Sequence, residues 1–371
     1  MSDDAPQPDR VEGAPHPRET ARLIGQDAAQ RAFLDAFTSG RLHHGWLITG
    51  PRGVGKATLA WAIARFLLAT PAPGADDGLF GAPPPPESLA IPPDHPVATR
   101  LLAGSEPGFY HITRRVNPDT GRLRPMIVAE DVRELNRFLQ LSATEGGARV
   151  VLIDSADEMN VQAANALLKM LEEPPARTTI LMVSHQPARL LPTIRSRCRE
   201  LRLGALSPEE MAEALTQAGA ETDRPEALAA LAAGSVGEAL RLGNLGGLDI
   251  YAELIGILGS LPRLDRPRAL RLAEAAAQRG AEERLDLLIT LFDTALSRLA
   301  RTGALGQALL PEAAPDEAAT FLRLAPHAAA ARAWASCAQE IGARARHGRA
   351  VNLDPAALVL DTVFKLQDTA A

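Results

Sequence analysis

The chain has 371 residues, 46% hydrophobic and 23% charged, which is too long for one small core and predicts two or three globular domains. Its net charge of −6 excludes the strong basic excess of a protein that grips nucleic acid by itself, so any such contact is expected to be local or shared with partner chains. Two distant cysteines, Cys198 and Cys337, exclude a disulfide framework and a four-cysteine zinc site.

Aromatics make up only 4% while Ala and Leu are abundant, a balance that favours helix packing. The first 20 residues are polar and dotted with proline and read as a flexible tail. They lack the basic start and apolar run of a signal peptide, and no stretch of about 18 apolar residues is present, so the expected location is the cytoplasm.

A helix is predicted over 27–38, ending near Gly40. Residues 46–49 read as a buried strand leading into Gly50-Pro51-Arg52-Gly53-Val54-Gly55-Lys56-Ala57-Thr58, with a helix to about Leu68. The proline-rich stretch 69–98, with four consecutive prolines at 83–86, reads as a surface insertion. Strands are then predicted at 109–112, 150–154, 180–183 and 201–203, with helices over 128–139 and 161–171 between them. The apolar run Val150 to Ile153, closed by Asp154, suits a central parallel strand buried on both faces. This alternation implies an α/β fold with a parallel sheet and flanking helices. After Gly204 only helical patterns follow, opened by Ser207-Pro208-Glu209-Glu210, which has a helix-capping pattern. The expected organisation is a P-loop domain over 21–204, a small helical domain over 205–247 and a second helical domain over 248–371.

The glycines of 50–56 are spaced for a phosphate cradle. Gly50, Gly53 and Gly55 let backbone N–H groups turn inward, and Lys56 reaches the outer phosphates at a helix N-terminus. The next residue should carry a hydroxyl for Mg²⁺, yet it is Ala57. Thr58 is rotated by about 100° on the helix and is a poor substitute. Asp154 stands where a carboxylate would hold Mg²⁺ through water, and Ser155, which follows it, is no carboxylate base. Whether ATP or ADP with Mg²⁺ sits on this cradle stays open, the alternative being a loop kept for its turn geometry. His43 and His44 have no partners at ligand spacing and read as packing residues, and Cys198 as a small buried hydrophobe.

Three segments carry a resemblance: Leu23-Ile24-Gly25-Gln26, Leu42-His43-His44-Gly45-Trp46, and Asn165-Ala166-Leu167-Leu168-Lys169-Met170-Leu171-Glu172-Glu173-Pro174-Pro175 followed by Ser196-Arg197-Cys198. Over roughly 20–245 the chain resembles the clamp-loader branch of the AAA+ ATPases. That resemblance implies an AAA+ P-loop domain, a helical lid and a helical collar. It implies a ring-like assembly with tau/gamma motor and delta subunits, acting on a sliding clamp and primer–template DNA within a polymerase holoenzyme. It also implies that Arg197 is an arginine finger acting in trans on a neighbour's nucleotide.

The motors of that family carry Lys-Thr, Asp-Glu and a sensor-2 Arg where this chain has Lys56-Ala57, Asp154-Ser155 and Gly237. Three losses with Arg197 retained imply a mostly passive subunit with little or no ATPase of its own. Many relatives carry a four-Cys zinc module where 69–98 stands, so no zinc is expected here. The rival readings are an active AAA+ motor, which would turn over ATP alone, and a small-molecule kinase, for which the sequence offers no acceptor site.

Overall fold

The structure is a computed structural model that describes residues 8–20, 22–71, 84–141, 147–220 and 222–371. The chain forms two compact units, one of residues 1–214 with 235–237 and the other of 215–234 with 238–371.

The first unit is built on five parallel strands: β1 (Gly45–Thr49), β2 (Phe109–Ile112), β3 (Arg149–Asp154), β4 (Thr178–Ser184) and β5 (Arg199–Arg202). Their order across the sheet is β2-β3-β4-β1-β5, every pair parallel. Every residue of β1, β3 and β4 is buried, as near-continuous apolar strands require when helices cover both faces. Alternation within each strand then divides the core. Trp46, Ile48, Val150 and Leu152 face α1 (Asp27–Thr38) and α2 (Lys56–Ala69) through Phe33, Leu59, Ile63 and Phe66. Leu47, Val151, Ile153, Ile180 and Met182 face the other way, toward α4 (Ala129–Leu141) and α5 (Val161–Glu172) through Leu135, Leu167 and Met170. Truncating such a fully buried Leu or Ile to Ala costs about 2–5 kcal/mol.

Every strand and helix predicted up to Gly204 is present, with ends shifted by two residues or fewer. The capping pattern at Ser207 forms as read. Glu210 N–H donates to Ser207 Oγ (3.2 Å), and Ser207 N–H donates to Glu210 Oε2 (2.8 Å), at the start of α7 (Pro208–Gln217).

Two expectations change. Residues 8–20 are not a loose tail: Ala14 and His16 are buried, and Asp9 bonds His16 (3.0 Å). The reason is a set of long-range polar and ring contacts that hydrophobic periodicity does not register; the rest of the expected tail, 1–7, lies outside the described residues. Within 69–98, Leu89 is buried in the core and Ile91 packs against it. From Pro96 a short helix, α3 (Pro96–Leu102), buries Val97 and Leu101. This part is therefore core-forming rather than surface insertion, while 72–83 lies outside the described residues.

The second unit consists of helices joined by turns and loops, with no strand among its described residues. Its long helices α12 (Glu282–Leu305) and α14 (Ala328–Ala350) pack together, and α11 (Arg266–Ala276) lies against α15 (Pro355–Ala370). A buried polar knot joins it internally: Arg298 Nε (2.6 Å) and Tyr251 Oη (2.7 Å) both donate to Glu317 Oε1, and Ala313 N–H donates to Oε2.

Candidate nucleotide cradle and arginine ledge

The strand β1 carries one candidate site at each end. At its carboxyl end the chain turns through Gly50, Gly53 and Gly55, with φ of 141°, 72° and 95°, and enters α2 at Lys56. Glycine is required here twice over. Positive φ disfavours a side chain, and each glycine also lies hard against the protein's own atoms. A Cβ on Gly50 would meet Leu203 O at 2.4 Å, one on Gly53 would meet Ser235 Oγ at 2.3 Å, and one on Gly55 would meet Leu23 Cδ1 at 2.7 Å.

Lys56 is 3% exposed and turns back on its own loop, donating to Gly50 O (2.8 Å) and to Pro51 O. Burial lowers its pKa to about 8, against the pull of Asp154 and Asp157. Asp154 is buried at the end of β3, and burial, with the neighbouring Asp9 charge, raises it to about 6. Ser155 Oγ lies 3.0 Å from Asp154 Oδ1 and 2.9 Å from His185 Nε2. Burial and the charges of Lys56 and Arg52 push His185 down to about 4, so the imidazole is neutral at pH 7. A hydroxyl bonded in this way cannot act as the carboxylate base that hydrolysis needs.

Two segments close over the loop. Gly237 N–H donates to Gly53 O (3.2 Å), and a Cβ on Gly237 would stand 2.9 Å from Gly53 Cα. The same position is 3.7 Å from Val11 Cγ2, so the segment at 8–20 reaches the tip of the cradle. Two residues earlier, the Asp9 carboxylate lies 3.0 Å from His16 Nε2 and 3.8 Å from His111 Nε2 on β2. Burial alone would raise Asp9, but the His16 bond and the histidine charges bring it below the usual range. Burial drives His111 down to about 4. The rings of His16 and His111 both stand edge-on to Trp61 of α2.

A magnesium nucleotide held for hydrolysis does not fit these residues. Lys56 is bonded to loop carbonyls, Ala57 has no hydroxyl, Thr58 is half-buried one position further along α2, and Gly237 packs against Gly53 in the loop. Among the described residues, no group of three or more His, Cys, Asp or Glu could hold a metal ion.

The other end of β1 is different. Arg197 stands between α6 (Pro192–Arg195) and β5, its side chain 38% exposed. Its Nη1 donates to Thr193 O (3.1 Å), and its Nη2 lies 2.9 Å from Glu172 Oε1. A Cβ on Gly45, the first residue of β1, would meet Arg197 O at 3.3 Å. Gly45 and Gly50 are separated by the length of the strand, about 16 Å. Arg197 therefore sits at the amino edge of the sheet and its own cradle at the carboxyl edge. His43 and His44 stack at this amino edge, and His44 Nε2 donates to Leu171 O (2.9 Å). Cys198 is partly buried, and burial raises its thiol to about 12. Among these residues, Asp9, His111 and His185 were not singled out from sequence, and Glu172 was quoted only within the segment that carries the resemblance, without a role; the position of His185 just past an apolar strand also offered a signal.

A model of the DNA polymerase III delta subunit family matches residues 93–207, the stretch that holds Asp154, Glu172 and Arg197 but not Lys56. The chain is 38% identical over 218 residues to the DNA polymerase III subunit delta′ of Pseudomonas aeruginosa, covering 57% of this chain and 59% of that protein. Over that stretch it is similar to the delta′ subunits. The delta′ of Escherichia coli is 34% identical over 213 residues, 57% of each chain. A tau subunit from Salmonella typhimurium is 28% identical over 288 residues, 73% of this chain and 40% of that one. The chain thus spans under three-fifths of the length of the delta′ relatives it matches. The parallel sheet and the glycine turn after β1 give the first unit an α/β P-loop fold. Among the described residues, no helix is long and apolar enough to cross a membrane.

Proposed function

We propose that this chain is a clamp-loader subunit of the delta′ kind, which helps load a sliding clamp onto primed DNA and supplies Arg197 to the nucleotide of a neighbouring ATPase subunit. The observation that carries the reading is the separation of the two ends of β1. Arg197 lies about a strand length from its own cradle and is partly exposed, so the nucleotide it serves must be bound by another chain. Its partners in this reading are tau/gamma motor and delta subunits, with the clamp and primer–template DNA reached through the assembly, in the cytoplasm. The cradle of Gly50, Gly53, Gly55, Lys56, Thr58 and Asp154 acts as a scaffold that fixes the 235–237 segment, and neither ATP nor ADP has a working role on it. Residues 205–247 act as the lid and 248–371 as the collar that joins the ring.

Arg is the suitable group for this task because its planar fork is always charged and matches phosphate oxygens. An arginine finger supplied in trans is worth about 10³–10⁵ in rate in other NTPases. The test is Arg197→Ala in the reconstituted loader. The ring should still assemble while DNA-stimulated ATPase falls sharply. Unchanged ATPase would refute the reading. Robust ATP turnover by the isolated chain would instead support an active motor, against which Ala57, Ser155 and Gly237 already stand.

A further inference from the structure

Three sequence segments of no obvious common purpose meet at the amino edge of β1. Gly45 lets them meet closely. A Cβ there would stand 3.1 Å from Leu171 Cδ2, 3.3 Å from Arg197 O and 3.4 Å from Cys198 Sγ, so a side chain would make the end of α5 or the 196–198 segment give way by a few tenths of an ångström. His44 then ties the end of α5 down through Leu171 O (2.9 Å). The result is that Glu172, the last residue of α5, presents Oε1 2.9 Å from Arg197 Nη2.

Glu172 is poorly placed for helix stability. The last carbonyls of a helix already carry partial negative charge, so an acidic residue there is the wrong sign, and Glu173 adds a second. A local rule broken in this way points to a task other than stability. The pair is also half-exposed, 38% at Arg197 and 49% at Glu172, so it adds little to folding.

Resting on the arginine-finger reading above, we infer that Glu172 is a positioning residue for Arg197, holding the guanidinium aimed at the neighbouring subunit's phosphate. The donor count permits this. Guanidinium has five N–H donors in a rigid fork; Thr193 O and Glu172 Oε1 take two, which leaves three. A phosphate group needs two, so Glu172 keeps its bond while the finger engages. Anchoring a side chain as rich in rotamers as Arg lowers the entropy lost on meeting the phosphate, and a finger set in line gains rate by orientation.

The effect is that of a solvent-screened pair, about two- to five-fold in rate, and it shrinks at high salt. The experiment is steady-state ATPase of the reconstituted, DNA-stimulated loader carrying Glu172→Ala, Glu172→Gln, Arg197→Ala, and the Glu172→Ala/Arg197→Ala double, each checked for assembly by co-elution. Glu172→Ala should lower kcat about two- to five-fold with KM for ATP unchanged. Glu172→Gln, which keeps the oxygen acceptor, should recover most of the loss. The double variant should equal Arg197→Ala alone. The inference is overturned if Glu172→Ala leaves kcat unchanged or raises it, or if it lowers kcat by the same factor when Arg197 is already absent. Those results differ from failure of the finger itself, which would appear as wild-type ATPase in Arg197→Ala.

Discussion

The two ends of β1 offer opposite lessons about what a motif means. At the carboxyl end stands the most recognisable sequence in the chain, yet Lys56 is 3% exposed and bonded to its own loop. At the amino end stands a three-residue motif of little intrinsic information, yet its arginine is half-exposed, doubly anchored and about a strand length from its own cradle. The cradle persists because its glycines are packing positions. Gly50, Gly53 and Gly55 each touch another segment of the same unit, so the loop would be retained even with no ligand. In the reading proposed above, the chemistry lies at the opposite end of the strand.

The sharpest way to break this contrast is to remove the cation at each end. Arg197→Ala should reduce hydrolysis at the partner's site by orders of magnitude, whereas Lys56→Ala should leave the loader's ATPase within about twofold. Equal losses at the two ends would erase the distinction. Lys56→Ala should still be felt in folding. It strips the donor from two loop carbonyls, costing about 1–3 kcal/mol by thermal or denaturant unfolding of the isolated chain.

Asp154 sharpens the same contrast through pH. Its folded pKa of about 6 lies above its ordinary value of 3.8 because burial and the Asp9 charge penalise the ionised form. The folded state therefore binds the extra proton between these values, and stability falls as pH rises from about 3.8 to 6. Asp154→Asn removes that dependence. It should stabilise the chain by roughly 2–3 kcal/mol above pH 6, with the advantage fading as pH falls toward 3.8. A variant less stable than wild type at pH 7.5 would show that the carboxylate is compensated by something other than the groups seen here.

Gly237 tests whether the site can be returned to a motor's form. A side chain there would press its Cβ to 2.9 Å of Gly53 Cα, backbone against backbone, with no flexible group to yield. Gly237→Ala should cost about 1–3 kcal/mol in unfolding measurements, and Gly237→Arg at least as much. Arginine at 237 accepted without loss would mean that the 235–237 segment lifts easily and that the cradle is open to ligand.

The contrast also explains what was legible in the sequence. Strand and helix positions up to Gly204 follow from apolar spacing, because β1, β3 and β4 are buried on both faces and the helices cover them. Residues 8–20 escaped because an anchor such as Asp9 to His111 joins positions more than a hundred residues apart from within a polar, proline-broken stretch. Leu89 escaped for a related reason, a single apolar residue among prolines having no period to reveal it. Lys56 and Arg197 were both readable as motifs. What could not be read was that one is enclosed by its own chain and the other is not, since enclosure is decided by tertiary contacts at Gly53, Gly237 and Gly45.

The smallest expected effect lies in the tie that holds the amino edge together. His44 is a neutral donor to Leu171 O. Burial and the neighbouring His43 lower its pKa below 6.5, while the carbonyl bond pulls the other way. His44→Ala should cost about 0.5–1.5 kcal/mol at pH 7.5. The sign of its pH dependence follows from a depressed histidine. The wild-type stability is fully present above 6.5 and is lost as pH falls through the folded pKa, so the penalty of the substitution should shrink in mildly acidic buffer. The end of α5 carries Glu172, so freeing it should also slacken the aim of Arg197. The loader containing His44→Ala should therefore lose ATPase by a smaller factor than Glu172→Ala, and the loss should vanish when Arg197 is absent. A stability loss with no such coupled change in rate would reduce His44 to a packing residue and leave Gly45 alone as the reason these segments meet.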